Sequence, residues 1–283
     1  MSEVSQALKG RVALVTGGNS GIGLVTAREL AQQGARVFVA CRSSEKGRAA
    51  VAEIRRVTGN QDVELLVLDL GDFDSVRGCA KEFLARDLPL HLLINNAGLA
   101  GTKGLTKSGF ELAFGTNHLG HFLLTQLLLD RIKASAPARI VTVASRAHTR
   151  VSGLDFDHVQ APTSGRAGLP EYGRSKLANV LFSAELGRRL AGTGVTTYSL
   201  HPGVVATDVW RELPGFLQPL VKLLMISSEE GAKTTLYCAT SPEVANQTGL
   251  YYDKCKVIAP SRAGSDTALA AELWRRSELW VAG

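Results

Sequence analysis

The sequence predicts an α/β domain, with one doubly wound parallel β-sheet of about seven strands flanked by helices on both faces. Two observations predict it. Short β-rich runs alternate with longer amphipathic stretches along the chain, and the runs are apolar at every position rather than at alternate ones. Such runs suit strands buried between two helical layers. The composition agrees, because 283 residues with 45% hydrophobic and 20% charged content are enough for one large core and unlike a disordered chain. No stretch reads as a linker and no internal repeat is present, so residues 1–283 are read as one domain.

The elements follow in order. Val12–Thr16 is an apolar strand that runs into a glycine-rich turn, from which a helical pattern covers Gly21–Gln33. A second strand, Val37–Ala40, leads to a helix over Glu45–Thr58, and a third, Val63–Leu68, leads to Asp72–Arg86. Leu92–Asn95 and the long helical pattern Gly109–Ala134 come next, then the strand Ile140–Ala144, the helix Tyr172–Ala191 and the strand Thr196–Leu200. Ser228–Thr240 reads as helix and Gly249–Tyr252 as a weaker strand. Right-handed crossovers place the ligand crevice at the carboxyl ends of the strands. Two irregular regions, an insertion at about 146–171 and a segment at about 204–227, each follow a strand and so belong over that crevice. The second carries Trp210, Pro214, Phe216 and Pro219 and is predicted to be a substrate lid.

Charge narrows the partner. The net charge is +6, which suits nucleic acid, an anionic membrane or a phosphorylated small molecule. Between Arg36 and Arg56 six basic residues face two acidic ones, so four of the six net charges fall in one short window. That local surplus favours the small phosphorylated molecule and removes the need for nucleic acid. Cys41, Cys79, Cys238 and Cys255 are isolated, with no metal-ligand spacing, and read as free thiols. His118, His121, His148, His158 and His201 likewise show no metal spacing and read as structural. No signal peptide and no apolar run of membrane-spanning length is visible, so a soluble cytoplasmic protein without a transmembrane anchor is expected.

The cofactor reading begins at Thr16-Gly17-Gly18-Asn19-Ser20-Gly21-Ile22-Gly23, a glycine turn between the first strand and its helix. Such a turn lets backbone approach a pyrophosphate at the positive helix end. At the end of the second strand an acid would take a ribose 2′-hydroxyl, whereas Arg accommodates a 2′-phosphate. Here Cys41 is followed by Arg42, with Lys46 nearby and no acid at the strand end, which points to NADP(H). Asp69 and Leu70 end the third strand, where Asp69 could accept from the adenine amino group. Asn96, Ala97 and Gly98 end the fourth, where small residues let a cofactor lie close.

Catalytic candidates come from the same sheet edge. Tyr172 and Lys176 lie four residues apart on a helix, hence on one face. A phenol with a reference pKa of about 10 shuttles protons poorly at neutral pH unless a cation stabilises its phenolate, and Lys176 would supply that charge. Ser145 ends the fifth strand and could polarise a carbonyl. Asn117, a polar interruption in a long apolar helix, could anchor a water near Lys176.

Taken in order, these motifs resemble the short-chain dehydrogenase/reductase family, over nearly the whole chain from Gly10 to about Trp280. The matching residues are Gly17, Gly21 and Gly23, then Asn96-Ala97-Gly98, Asn117, Ser145, Tyr172 and Lys176, then His201-Pro202-Gly203 and Thr207. Within the family the chain is most similar to the retinol dehydrogenase-like branch, through Gly115-Thr116-Asn117-His118-Leu119-Gly120-His121-Phe122 and Tyr172-Gly173-Arg174-Ser175-Lys176-Leu177-Ala178-Asn179. The resemblance implies a Rossmann-type fold and hydride transfer between a nicotinamide and a carbonyl or alcohol carbon. It implies Tyr172 as acid and base, Ser145 on the carbonyl oxygen, and Lys176 on the nicotinamide ribose. Pro202, Gly203, Val205 and Thr207 would embrace the nicotinamide. Trp210, Leu213 and Phe216, with Ser145 and Tyr172, would contact a lipophilic substrate, and Leu154 and Phe156 would add apolar wall. The family also implies pairing into a homodimer or homotetramer. Two alternatives stay open, reduction of a conjugated C=C bond as in protochlorophyllide reductases and a non-enzymatic dinucleotide sensor.

Overall fold

The structure, a computed structural model, describes residues 6–164, 166–203 and 227–282. The strands are β1 (Val12–Thr16), β2 (Arg36–Cys41), β3 (Val63–Val67), β4 (Leu92–Asn95), β5 (Ala138–Val143), β6 (Val195–His201), β7 (Leu250–Asp253) and β8 (Lys256–Val257). The longer helices are α1 (Gly21–Gln32), α2 (Ser44–Thr58), α3 (Phe73–Leu84), α4 (Gly120–Ala134), α5 (Leu169–Arg189), α6 (Ser228–Thr240) and α7 (Thr267–Ala282). The sheet order is β3-β2-β1-β4-β5-β6-β7-β8. The chain first builds outward from β1 through β2 to β3, then returns to build the other half from β4. The reversal opens a crevice between the carboxyl ends of β1 and β4, the usual ligand position in such sheets.

Both faces of the sheet are buried, as the unbroken apolar runs require. Leu14, Phe38 and Leu93 point into one core with Phe122 of α4, Leu177 of α5 and Leu273 of α7. Their neighbours Ala13, Val15, Val37, Val39 and Ile94 point into the other, with Leu30 of α1, Ile54 of α2 and Cys238 of α6. Successive strand residues therefore feed opposite layers.

Three predicted boundaries shift. The sheet is parallel except at its last pair, where β7 and β8 run antiparallel. Lys254 and Cys255, both at positive φ (49° and 59°), make the two-residue turn that reverses the chain. The long pattern from Gly109 becomes helical only at Leu112 and passes through a π turn, Gly115–Leu119, before α4. The predicted insertion ends early, because α5 starts at Leu169 with Pro170 in its first turn, where a missing N–H costs nothing. Of the segment expected to form a lid, 204–227, only Ser227 is among the described residues. Among the described residues no helix is long and apolar enough to cross a membrane.

Candidate active site

The glycine turn is built by close approach. A Cβ at Gly23 would run into the Gly17 carbonyl and stand 2.5 Å from Asn96 Nδ2, so only glycine lets α1 start so near the β1 end. Gly17 itself is at φ +66°, and a Cβ there would meet Ala97 Cα at 3.0 Å. Ser20 stands at the N-cap of α1 in extended conformation without a side-chain cap bond, and the first turn of α1 carries no acid. Its orphan N–H groups and positive dipole end thus face the crevice, beside exposed Ser20 and half-buried Asn19, Gly21 and Ile22. An anion fits that cradle.

At the end of β2, Arg42 and Lys46 are exposed. Neither side chain makes a hydrogen bond or ion pair among the described residues, so both cations are available to a phosphate. Asp69 accepts from the Gly71 N–H at 2.9 Å. The Leu70 side chain is buried in the core, and its backbone packs so tightly on Gly120 that a Cβ there would stand 2.8 Å from Leu70 Cβ. Leu70 can therefore offer the crevice backbone only, which narrows its expected role. Asn96 Nδ2 donates to the Thr16 carbonyl at 2.8 Å, locking the β4 end to the β1 end. Gly98 lies where a Cβ would come within 3.3 Å of both Asn117 Oδ1 and Lys176 Nζ.

The catalytic candidates do converge. Ser145 follows β5, its hydroxyl accepting from the Ala147 N–H at 3.1 Å and lying beside the Tyr172 phenol. Lys176 is buried beneath, with Nζ donating to the Val143 carbonyl at 2.9 Å and lying 5.7 Å from the centre of the Tyr172 ring. Asn117 Nδ2 donates to the Leu99 carbonyl at 3.0 Å and to Ser175 Oγ at 2.9 Å, and Asn117 Oδ1 accepts from Leu99 N–H at 2.9 Å. Ser175 in turn donates to the Tyr172 carbonyl at 2.8 Å.

The structure sharpens two expectations here. The Asn117 amide bonds protein on both its nitrogen and its oxygen, so it braces Leu99 and α5, while the oxygen keeps a second lone pair. The Tyr172 phenol is pushed up from its ordinary pKa because burial outweighs the lowering hydrogen bond from Ser145. Lys176 sits over the ring face, and its own pKa is pushed down by burial to about 8. In this arrangement the Tyr172 phenol is neutral and Lys176 remains protonated at neutral pH.

The carboxyl edge has supports that sequence reasoning missed. His148 Nδ1 donates to the Ser145 carbonyl at 2.7 Å while its Nε2 accepts from Ser261 N–H at 3.1 Å. Next to it Arg146 holds Asp253 of β7 at 2.8 Å through Nε. His148 was read as structural, and structural it is, but its work is to hold the loop that begins at Ser145. The only signal was its spacing, three residues beyond Ser145.

Of the remaining candidates, Pro202 and Gly203 follow β6 at the same edge, half-buried, with Gly203 at φ +93°. Val205, Thr207, Trp210, Leu213 and Phe216 lie outside the described residues. Leu154 and Phe156 turn away from the crevice. Both pack against the core, and the Phe156 ring lies 6.0 Å from Trp280 with the Arg276 guanidinium 4.7 Å over it. For Phe156 the C-terminal helix supplies the partners that take it out of the substrate wall.

Comparison with known proteins places these features. Residues 11–156 match the family model described as short chain dehydrogenase. Retinol dehydrogenase 11 of Mus musculus is 46% identical over 270 residues, covering 94% of this chain and 85% of that protein. Dehydrogenase/reductase SDR family member 13 of Bos taurus is 46% identical over 276 residues, covering 95% of this chain and 73% of that protein. Among solved structures, an uncharacterized protein from Mycobacterium paratuberculosis superposes with a TM-score of 0.78 at 35% identity, covering 98% of this chain and 97% of the other. The Pseudomonas aeruginosa RhlG/NADP active-site complex superposes with a TM-score of 0.69 at 25% identity, covering 88% and 96%. The chain belongs to the short-chain dehydrogenase/reductase family of oxidoreductases, which use nicotinamide dinucleotides, and it is related there to the retinol dehydrogenases.

Proposed function

We propose that the protein is an NADP(H)-dependent oxidoreductase that interconverts a lipophilic aldehyde or ketone and its alcohol, with Tyr172 as the acid and base. The observation that carries the reading is the meeting of Ser145 and the Tyr172 phenol at the carboxyl edge, with buried Lys176 Nζ 5.7 Å from the centre of the Tyr172 ring. A sensor would need no such proton-handling pair.

Gly17 to Gly23 and the start of α1 would hold the pyrophosphate, Arg42 and Lys46 the 2′-phosphate, Asp69 the adenine edge, and Lys176 the nicotinamide ribose. When bound, the cofactor supplies or accepts the hydride. Ser145 orients the carbonyl oxygen. Tyr172, kept neutral by burial, donates its proton to the oxygen as negative charge develops there, and takes it back in the oxidative direction. The charge on Lys176 then becomes useful, because it lowers the cost of the phenolate left on Tyr172. NADP is the cofactor named in the RhlG complex, and the exposed, unpartnered Arg42 supports the same choice here. The lipophilic class is supported by the retinol named for several relatives and by the apolar composition of 204–227, with Trp210, Leu213 and Phe216 as its candidate contacts.

A screen of aldehydes, ketones and conjugated polyenes with NADPH, followed at the reduced-nicotinamide absorbance, is expected to show turnover with apolar aldehydes. Reduction confined to conjugated C=C bonds, or binding without turnover of any compound, would overturn the reading.

A further inference from the structure

His121 is buried in the first turn of α4, and its two ring nitrogens reach two different parts of the site. Nδ1 lies 3.0 Å from the Asn117 carbonyl in the π turn, and Nε2 lies 2.8 Å from Thr16 Oγ1 at the end of β1. The partners decide the tautomer. A carbonyl only accepts, so Nδ1 carries the hydrogen and Nε2 presents a lone pair. Thr16 has one hydroxyl hydrogen, and its oxygen already accepts from Asn96 N–H at 2.9 Å and Ala97 N–H at 3.0 Å. The hydroxyl hydrogen is therefore free for Nε2, with the Ile94 carbonyl a longer alternative at 3.3 Å. Every donor and acceptor of the imidazole is used once. Burial, aided by the nearby Lys176 charge and opposed by the Asn117 bond, pushes His121 down to about 4, so the ring is neutral at neutral pH.

The two ends of this bridge have separate jobs. Thr16 and Asn96 fix the start of the glycine turn. Asn117 braces Leu99 and, through Ser175, the turn of α5 that carries Tyr172. No other side chain among the described residues is hydrogen-bonded to both Thr16 and Asn117. Its place, four residues past Asn117, lets its Nδ1–H reach back one turn to the Asn117 carbonyl.

We propose that His121, as the neutral Nδ1–H tautomer, is a positioning residue that holds the dinucleotide turn and the Asn117 turn in one register. The proposal rests on the crevice being the dinucleotide site, so its test reads affinity rather than activity. NADPH binding would be titrated by fluorescence for the wild type, His121→Phe, His121→Gln, Thr16→Val and the Thr16→Val/His121→Phe double variant, with melting temperatures alongside. Phe fills the space with no polar atom, whereas Gln places an acceptor near the position of Nε2.

His121→Phe is expected to raise Kd about tenfold, the equivalent of one buried hydrogen bond, and Thr16→Val by more, because it also leaves the Asn96 and Ala97 N–H groups without their acceptor. The double variant should be no weaker than the weaker single one, because both remove the same link. His121→Gln should stay within about twofold of wild type. A Kd unchanged in the Phe and Val variants, or losses that multiply in the double, would overturn the proposal, since a side chain that only fills space has no such coupling. Should the Phe variant fail to fold, His121→Leu must still weaken binding and His121→Gln must not, and the reverse outcome overturns it. A wild type that does not bind NADPH would overturn the dinucleotide reading and this proposal with it. A wild type that binds as its variants do overturns this proposal alone.

Discussion

Replacing Tyr172 by Phe is expected to lower kcat by about 10²–10⁴-fold, the range that a positioned general acid contributes. NADPH affinity should stay within about twofold, because the ring and its packing survive and only the hydroxyl is removed. The reasoning depends on where the hydroxyl sits. It lies beside Ser145, and burial raises its pKa, so at neutral pH it holds the proton that the proposed mechanism delivers to the carbonyl oxygen. Removing it leaves Ser145 to orient a substrate that has no proton donor. Steady-state kinetics with NADPH and an apolar aldehyde check the loss, and a fluorescence titration checks the retained affinity. Full turnover by the Phe variant would remove Tyr172 from the chemistry.

Arg42→Asp should invert the cofactor preference. Hydrogen bonds to charged groups are worth about 1.5–3 kcal/mol, so losing the guanidinium should weaken NADPH binding about 10–150-fold, and the new carboxylate repels the 2′-phosphate further. The same carboxylate can accept from a ribose 2′-hydroxyl, so NADH binding should improve. Stability should change by no more than about 0.5 kcal/mol, because Arg42 is exposed and its side chain makes no hydrogen bond or ion pair among the described residues. That separation is diagnostic. An unchanged ratio of NADPH to NADH affinity would mean that the basic window from Arg36 to Arg56 serves only solubility.

How legible the fold was depended on which interactions are local. The strand positions were readable to within a residue or two because both sheet faces are buried, so a strand such as Val12–Thr16 has no polar position to confuse the pattern. The helix carrying Tyr172 and Lys176 was readable for the same reason, by spacing along one face. Its true start at Leu169 was hidden by Gly168 and Pro170, residues that signal a loop unless the proline is recognised as occupying the first turn of a helix. The C-terminal helix had its own pattern, with Ala270, Leu273, Trp274, Ser277 and Val281 buried at helical spacing. No helix is among the sequence expectations there, and without it nothing shows that Phe156 faces the core.

The site divides in the same way. Ser145, Tyr172, Lys176 and the glycine turn could be named because strand ends and helical spacing fix them. The bonds that hold them could not, since they join residues far apart in sequence. Thr16 and His121 are 105 positions apart, and His148 and Ser261 are 113 apart. The direction of the Tyr172 shift was also out of reach, because spacing shows that Lys176 is near but cannot show that its ammonium sits over the ring face and that burial prevails.

The central claim is that this crevice moves a hydride to a carbonyl carbon. The most direct measurement uses NADPH carrying deuterium at nicotinamide C4, prepared as each of the two stereoisomers, with mass spectrometry of the alcohol formed from an apolar aldehyde. The account predicts one deuterium on the former carbonyl carbon from one stereoisomer and none from the other, with the label lost in Tyr172→Phe. Unlabelled product from both stereoisomers, or NADPH bound tightly with no alcohol formed, would contradict it.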